Sequence, residues 1–159
     1  MISDLIISAV ISLLPVAELR GGMPYAVAKG VSPFLAFVIC VIANMLVIPI
    51  MYFFLDYVHG TFMKIGVYRR FFTKYVESKR AKLEKYVGTS AEFAALVLFV
   101  GVPLPATGAY TGALLAWFFK LDKKKAYLAI SLGVLMAGII VLLVMLGVLS
   151  GWEVFVKKV

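Results

Sequence analysis

Apolar residues run along this chain in long unbroken stretches, and the stretches fall into two lengths. Residues 34–55 and 126–149 are each long enough for a helix that crosses a hydrocarbon core, which takes roughly 20 residues. Ser32 is placed to cap the first, with Pro33 at its first helical position, and Asp122 to cap the second. Two other apolar segments, 2–14 and 91–101, are too short and both are broken. At about 1.5 Å per residue the first gives roughly 20 Å of helix. It then runs into Pro15-Val16-Ala17-Glu18-Leu19-Arg20-Gly21-Gly22-Met23-Pro24, whose prolines and paired glycines predict a helix break, with a short helix resuming over 24–29. The second runs into Val102-Pro103-Leu104-Pro105-Ala106-Thr107-Gly108 before apolar residues resume over 109–119.

The same order of parts occurs twice: short helix, Pro/Gly break, short helix, capped turn, full span. The expectation is an all-α integral membrane protein of two repeats, about 1–57 and 89–151, alike in pattern and not in residue identity. Between them, at about 58–88, Tyr68, Phe71, Phe72, Tyr75, Val76, Leu83, Tyr86 and Val87 recur at helical spacing, with Arg69, Arg70, Lys74, Lys79, Arg80, Lys82 and Lys85 filling much of the rest. That predicts an amphipathic helix lying in the membrane interface. Gly88 would end it, and Thr89-Ser90-Ala91-Glu92 has the spacing of a capping box.

Composition narrows the class. Of 159 residues, 64% are hydrophobic and 15% charged, and the mean hydropathy is +1.04, which excludes an ordinary soluble domain. The net charge of +8 does not indicate nucleic acid, because the basic residues sit in blocks between apolar runs. Cys40 is the single cysteine and lies in an apolar run, so neither a disulfide framework nor a cysteine metal cluster is expected. Segment 2–14 lacks a basic leader and a small-residue cleavage site, and reads as mature protein.

Charge also discriminates between topologies. If the broken segments crossed fully, the linker, with eight Lys/Arg from Lys64 to Lys85, and the block Lys120, Lys123, Lys124 and Lys125 would face opposite sides. If each broken segment is a re-entrant hairpin, both blocks share one side, against Lys29, Lys157 and Lys158 on the other. The positive-inside rule selects the second arrangement, with linker and 120–125 turn cytoplasmic and both termini outside. Each repeat then crosses the membrane an odd number of times, so the two are inverted relative to each other, as in transporters.

Hairpins entering from opposite faces can meet near the midplane and aim the positive ends of their short helices at the meeting point, a site suited to an anion. Glu18 and Arg20 are the only ionisable residues in the hairpin loops. Charge in hydrocarbon needs a partner or water. Glu18 is thus a candidate proton-exchanging carboxylate and Arg20 a substrate ligand; the alternative is a structural pair, with Arg20 locking the loop and Glu18 capping the following helix. Gly21 and Gly22 allow close backbone approach. The second loop offers Thr107, Tyr110 and Thr111 hydroxyls beside Gly108. They read either as substrate ligands or as packing against the first hairpin. Pro15, Pro24, Pro103 and Pro105 shape the loops. Asn44 lies mid-span, five residues before Pro49, and could reach the opposite hairpin. His59 and Asp56 close the first span; the histidine reads as a proton relay or, more simply, as a solvated interfacial side chain, and Trp117, Trp152 and scattered tyrosines read as interface anchors. No nucleophile–base set, phosphate-binding loop or metal-ligand spacing is present, so no enzyme, cofactor or metal is expected.

The two loop stretches, the second extending through Gly112-Ala113, together resemble the small multidrug export protein family over essentially the whole chain. That family is in turn distantly similar to the DedA (SNARE-associated, VTT) superfamily. The resemblance implies re-entrant hairpins in inverted repeats and, by analogy, proton-linked movement of undecaprenyl phosphate or phospholipid between leaflets. It puts Glu18 at the acidic position of the first hairpin. The DedA pattern also has two arginines around a proline in the second hairpin. The stretch around Pro103 and Pro105 has none, and the nearest arginine is Arg20.

The expected function is therefore a proton-coupled transporter or translocase of an anionic lipid or small molecule. The alternatives are a multidrug efflux protein with Glu18 essential, or a scaffold that binds anionic lipid through its basic linker. Expected partners are the bilayer of a prokaryotic cell membrane, anionic headgroups at Arg69, Arg70, Lys79 and Arg80, and a second copy enlarging the enclosed volume.

Overall fold

Proline and capping residues set the helix boundaries in the computed structural model, which describes residues 2–89, 91–102 and 107–156. The helices are α1 (Ile2–Ser12), α2 (Glu18–Ala28), α3 (Pro33–Phe53), α4 (His59–Phe62), α5 (Gly66–Leu83), α6 (Glu92–Gly101), α7 (Ala109–Phe118) and α8 (Lys123–Val156). No strand occurs among the described residues. A π-helical turn, Phe54–Val58, joins α3 to α4, so helix runs without a break from Pro33 to Phe62.

Ser32 caps α3 as expected, accepting from the Leu35 N–H at 3.3 Å. Asp122 caps α8 through the Lys125 N–H at 2.9 Å. Two boundaries depart from expectation. First, α2 begins at Glu18, six residues before Pro24, and carries Gly21, Gly22 and Pro24 inside it. Packing overrides propensity here: a Cβ at Gly22 would overlap Ser12 Oγ and press on Ser8 O and Cys40 Sγ, so only glycine lets α2 settle against α1 and α3. Second, the turn before α6 is no standard capping box. Glu92 accepts from the Gly88 N–H at 2.7 Å, and Thr89 Oγ1 accepts from the Ala91 N–H at 3.3 Å. Gly88, at φ +74°, supplies the left-handed turn, and Ser90 lies outside the described residues.

The contacts fix how the helices run. Leu5 packs beside Val27 and Ala36, while Ser8 lies against Cys40 and Ser12 against Gly22. So α1 and α2 form an antiparallel hairpin, with α1 parallel to the first half of α3. In the second half of the chain Leu96 sits beside Leu121 and Ala126, Val100 against Gly112 and Gly133, and Gly101 against Met136. The pair α6 and α7 is therefore also an antiparallel hairpin, with α6 parallel to the first half of α8. The long helices run antiparallel: Phe37 and Val41 meet Gly138, Tyr52 packs on Tyr127 with ring centroids 5.0 Å apart, and Asp56 pairs with Lys123 at 2.7 Å.

The interior is rich in alanine. Ala26, Ala36, Ala43, Ala109, Ala113, Ala116, Ala126, Ala129 and Ala137 are all buried among the helices, around Leu19, Met23, Ile48, Leu115 and Ile130. Large apolar side chains such as Phe34, Ile42, Leu46, Ile50, Leu128 and Leu143 face outward. Small residues inside and large apolar ones outside is the pattern of helices packed in lipid, where close backbone approach replaces the hydrophobic effect. Two helices, Pro33–Phe62 and Lys123–Gly147, are long and apolar enough to cross a membrane.

Candidate functional site

Pro15 has no N–H to donate and disfavours helix at the residue before it, so α1 stops at Ser12 and the chain turns through 13–17. Glu18 completes the turn at φ +48°, a left-handed conformation that costs a residue with a side chain about 1–3 kcal/mol. The strain aims its side chain at the other hairpin. There the carboxylate lies against Gly108, where a Cβ would overlap it, and accepts from the Tyr110 N–H at 3.5 Å. Glu18 is 7% exposed. A carboxylate buried at the first turn of α7 gains from the free N–H groups and the positive end of the helix dipole.

Two residues into α2, Arg20 reaches the same place and donates from Nη2 to the Thr107 carbonyl oxygen. Tyr110 makes a third tie, its hydroxyl donating to the Leu13 carbonyl oxygen. The first hairpin thus contributes two charged side chains and a carbonyl; the second contributes backbone groups and one phenol. The helices α2 and α7 both begin here.

Of the residues singled out from sequence, Glu18, Arg20, Thr107, Gly108 and Tyr110 come together. The Thr107 hydroxyl turns back on its own loop, donating to Val102 O at 3.1 Å. Thr111 faces away, its Oγ1 2.7 Å from Tyr75 Oη on α5. Gly21 and Gly22 lie against Ala17, Ile11 and Ser12. Pro24 is seven residues along α2 and Pro15 lies in the first loop; Pro103 and Pro105 lie outside the described residues. Asn44 is 1% exposed, and its Oδ1 has no hydrogen-bond partner among the described residues. Cys40, one turn earlier, touches Gly22; since α2 runs antiparallel, the same face of α3 at Asn44 is level with Glu18. An orphaned acceptor thus lies beside the junction.

Arg69, Arg70 and Arg80 are remote, on α5, as is Lys79, whose side chain lies outside the described residues. Among the described residues no three His, Cys or carboxylate side chains gather into a metal site.

A second polar cluster went unnoticed in the sequence. Asp56 accepts from Trp117 Nε1 at 2.8 Å and from Lys123 Nζ at 2.7 Å, joining the π-helical turn to α7 and α8. Beside it His59, expected to be solvated, is buried: Nδ1 is 3.0 Å from Tyr68 Oη, and the ring packs on Phe72 and Trp117. The aromatic spacing of 68 and 72 was the available signal; that it would fold back over His59 depended on the turn at 63–65. This cluster brings the linker and the basic start of α8 to one end of the bundle.

No curated protein and no solved structure compared with the chain matches it. A family profile does, over residues 18–140, from the carboxylate of the first hairpin to beyond the middle of α8. With two apolar helices of spanning length this points to a membrane location, and the chain belongs to the family described as "Putative small multi-drug export protein".

Proposed function

We propose that this protein is a proton-coupled membrane transporter working through the junction of two re-entrant hairpins in inverted repeats. The observation that carries the reading is the buried Glu18 carboxylate, set by a strained backbone against Gly108 and the first turn of α7. A carboxylate held this way is stable only while the second hairpin is in place, so gaining or losing a proton there bears directly on whether the hairpins stay joined. The architecture is supported by the contact pattern: each hairpin pairs with only the first half of its long helix, and those helices are antiparallel. The basic start of α8 and the start of α5 lie at the end marked by Asp56 and Lys123, which supports a cytoplasmic assignment for that end.

Electrostatics favours an anionic substrate, such as a phosphate-bearing amphiphile. Protonating Glu18 leaves Arg20 and the N-termini of α2 and α7 as an uncompensated positive site. Substrate and proton then travel together. The family description favours a second reading, in which a cationic drug replaces the proton on Glu18 and the two travel in opposite directions.

The sign of coupling decides. In proteoliposomes with a trapped pH dye, an anionic polyprenyl phosphate should carry protons with it through wild-type protein and a cationic dye should not exchange against them. Glu18→Gln should abolish the proton signal while leaving the protein folded. Proton movement that is unchanged in Glu18→Gln would sink both readings.

A further inference from the structure

The helix α5 has two apolar faces, and only one is used within the molecule. Its inner face is fully engaged: Tyr68 bonds His59, Phe72 packs on it with ring centroids 4.2 Å apart, Tyr75 bonds Thr111, and Val76 is buried with Leu55 and Leu114. Val67 and Phe71, four residues apart on a second, outer face that adjoins the inner one, are 83% and 71% exposed. Sequence periodicity grouped Phe71 with the inner face; its ring stacks on Tyr75 at 6.3 Å at the edge of that face and is otherwise turned outward. An open cleft of about 960 Å³ follows this outer face, lined by Val67, Arg69, Arg70, Phe71, Thr73 and Lys74.

Charge says what the face is for. Between Lys64 and Lys85 there are eight Lys/Arg and two Glu. Both glutamates are spent on one cation: Arg80 pairs with Glu84 at 2.5 Å and with Glu77 at 3.6 Å. Arg69, Arg70 and Lys74, which flank the exposed Phe71, form no ion pair among the described residues. The basic start of α8, at Lys123–Lys125, lies at the same end of the bundle, tied there by Asp56. An exposed aromatic side chain bracketed by uncompensated cations is complementary to an anionic leaflet: the ring enters the acyl boundary while the cations stay at the phosphates.

We propose that the outer face of α5 binds the anionic headgroups of the membrane leaflet, with Arg69, Arg70 and Lys74 as headgroup ligands and Phe71 as the inserted anchor. Arg80 is not part of this surface, because its guanidinium is already held by carboxylates of its own helix. The surface is independent of any transport role for Glu18.

The test is amide hydrogen exchange of α5 in nanodiscs of phosphatidylcholine alone and of phosphatidylcholine mixed with phosphatidylglycerol. Exchange over 66–80 should slow on the order of 10-fold in the anionic bilayer, and added salt should remove the difference. The triple variant Arg69→Gln/Arg70→Gln/Lys74→Gln, altering side chains clear of the core, should exchange alike in both bilayers. Phe71→Ser should speed exchange in both while keeping a smaller difference between them. Equal exchange of wild-type α5 in the two bilayers would overturn the proposal. So would protection that follows protein concentration and not lipid charge, which would assign the face to a second copy.

Discussion

The two hairpins are built alike and meet as unequal partners. In α1–α2 the turn carries Glu18 and Arg20, and a left-handed residue with a side chain holds them in place. In α6–α7 the contribution at the junction is mostly backbone: the Thr107 carbonyl, the Tyr110 N–H and the bare Cα of Gly108. Charge on one side and backbone dipoles on the other satisfy each other without a second pair of ions having to be buried. Full burial of two ion pairs would cost more desolvation than their attraction returns. Unpaired buried peptide groups are also costly, so each loop solves the other's problem.

If that division of labour is right, the largest effect should come from Gly108. Gly108→Ala puts a methyl group into the space of the Glu18 carboxylate and should destabilise the protein by about 3 kcal/mol, the upper end for overpacking. Adding Glu18→Asp, one methylene shorter, should recover part of that in a double-mutant cycle measured by unfolding in mixed micelles. Additive effects would mean that the two residues do not touch.

Tyr110→Phe comes next. It strands the Leu13 carbonyl oxygen and should cost about 1–3 kcal/mol, seen as a lower unfolding midpoint, with the Glu18 contact to the Tyr110 N–H preserved. Glu18→Gln sharpens the comparison differently. Its amide oxygen can still accept from Tyr110, so stability should stay within about 1 kcal/mol of wild type while proton-coupled flux disappears. An equal loss of stability and flux would make Glu18 a structural residue.

The smallest effect belongs to the opposite kind of polar contact, at the basic end of the bundle. Asp56 and Lys123 are partly exposed, with side chains 30% and 62% accessible. Lys123→Ala should change the unfolding free energy by no more than about 1 kcal/mol, and less in high salt. A change as large as that at Gly108 would show that exposure, and not chemistry, had been misjudged.

Much of this was legible in the sequence. The capped starts of α3 and α8 at Ser32 and Asp122, the two long apolar spans, the break before Gly108 and the linker helix all follow from local chemistry. Glu18 and Arg20 also drew notice, since charges among apolar residues stand out in one dimension, and the structure brings both to the meeting of the hairpins. Other features left no local trace. Gly21, Gly22 and Pro24 read as helix breakers and lie inside α2, because the value of a glycine at Gly22 depends on Ser12 and Cys40 across an interface. His59 reads as solvated and is buried, because Phe72 and Trp117 are brought over it by elements far along the chain.

By itself, the sequence determined the helical element types, the two long spans with their capped starts and which residues carry charge, because these depend on neighbours within a turn or two. The tertiary structure alone decided that Glu18 faces Gly108, that Tyr110 is tied to Leu13, and that α5 turns Phe71 outward. Those outcomes are set by which helix faces meet, and that choice rests on the close approach of small residues separated by up to a hundred positions.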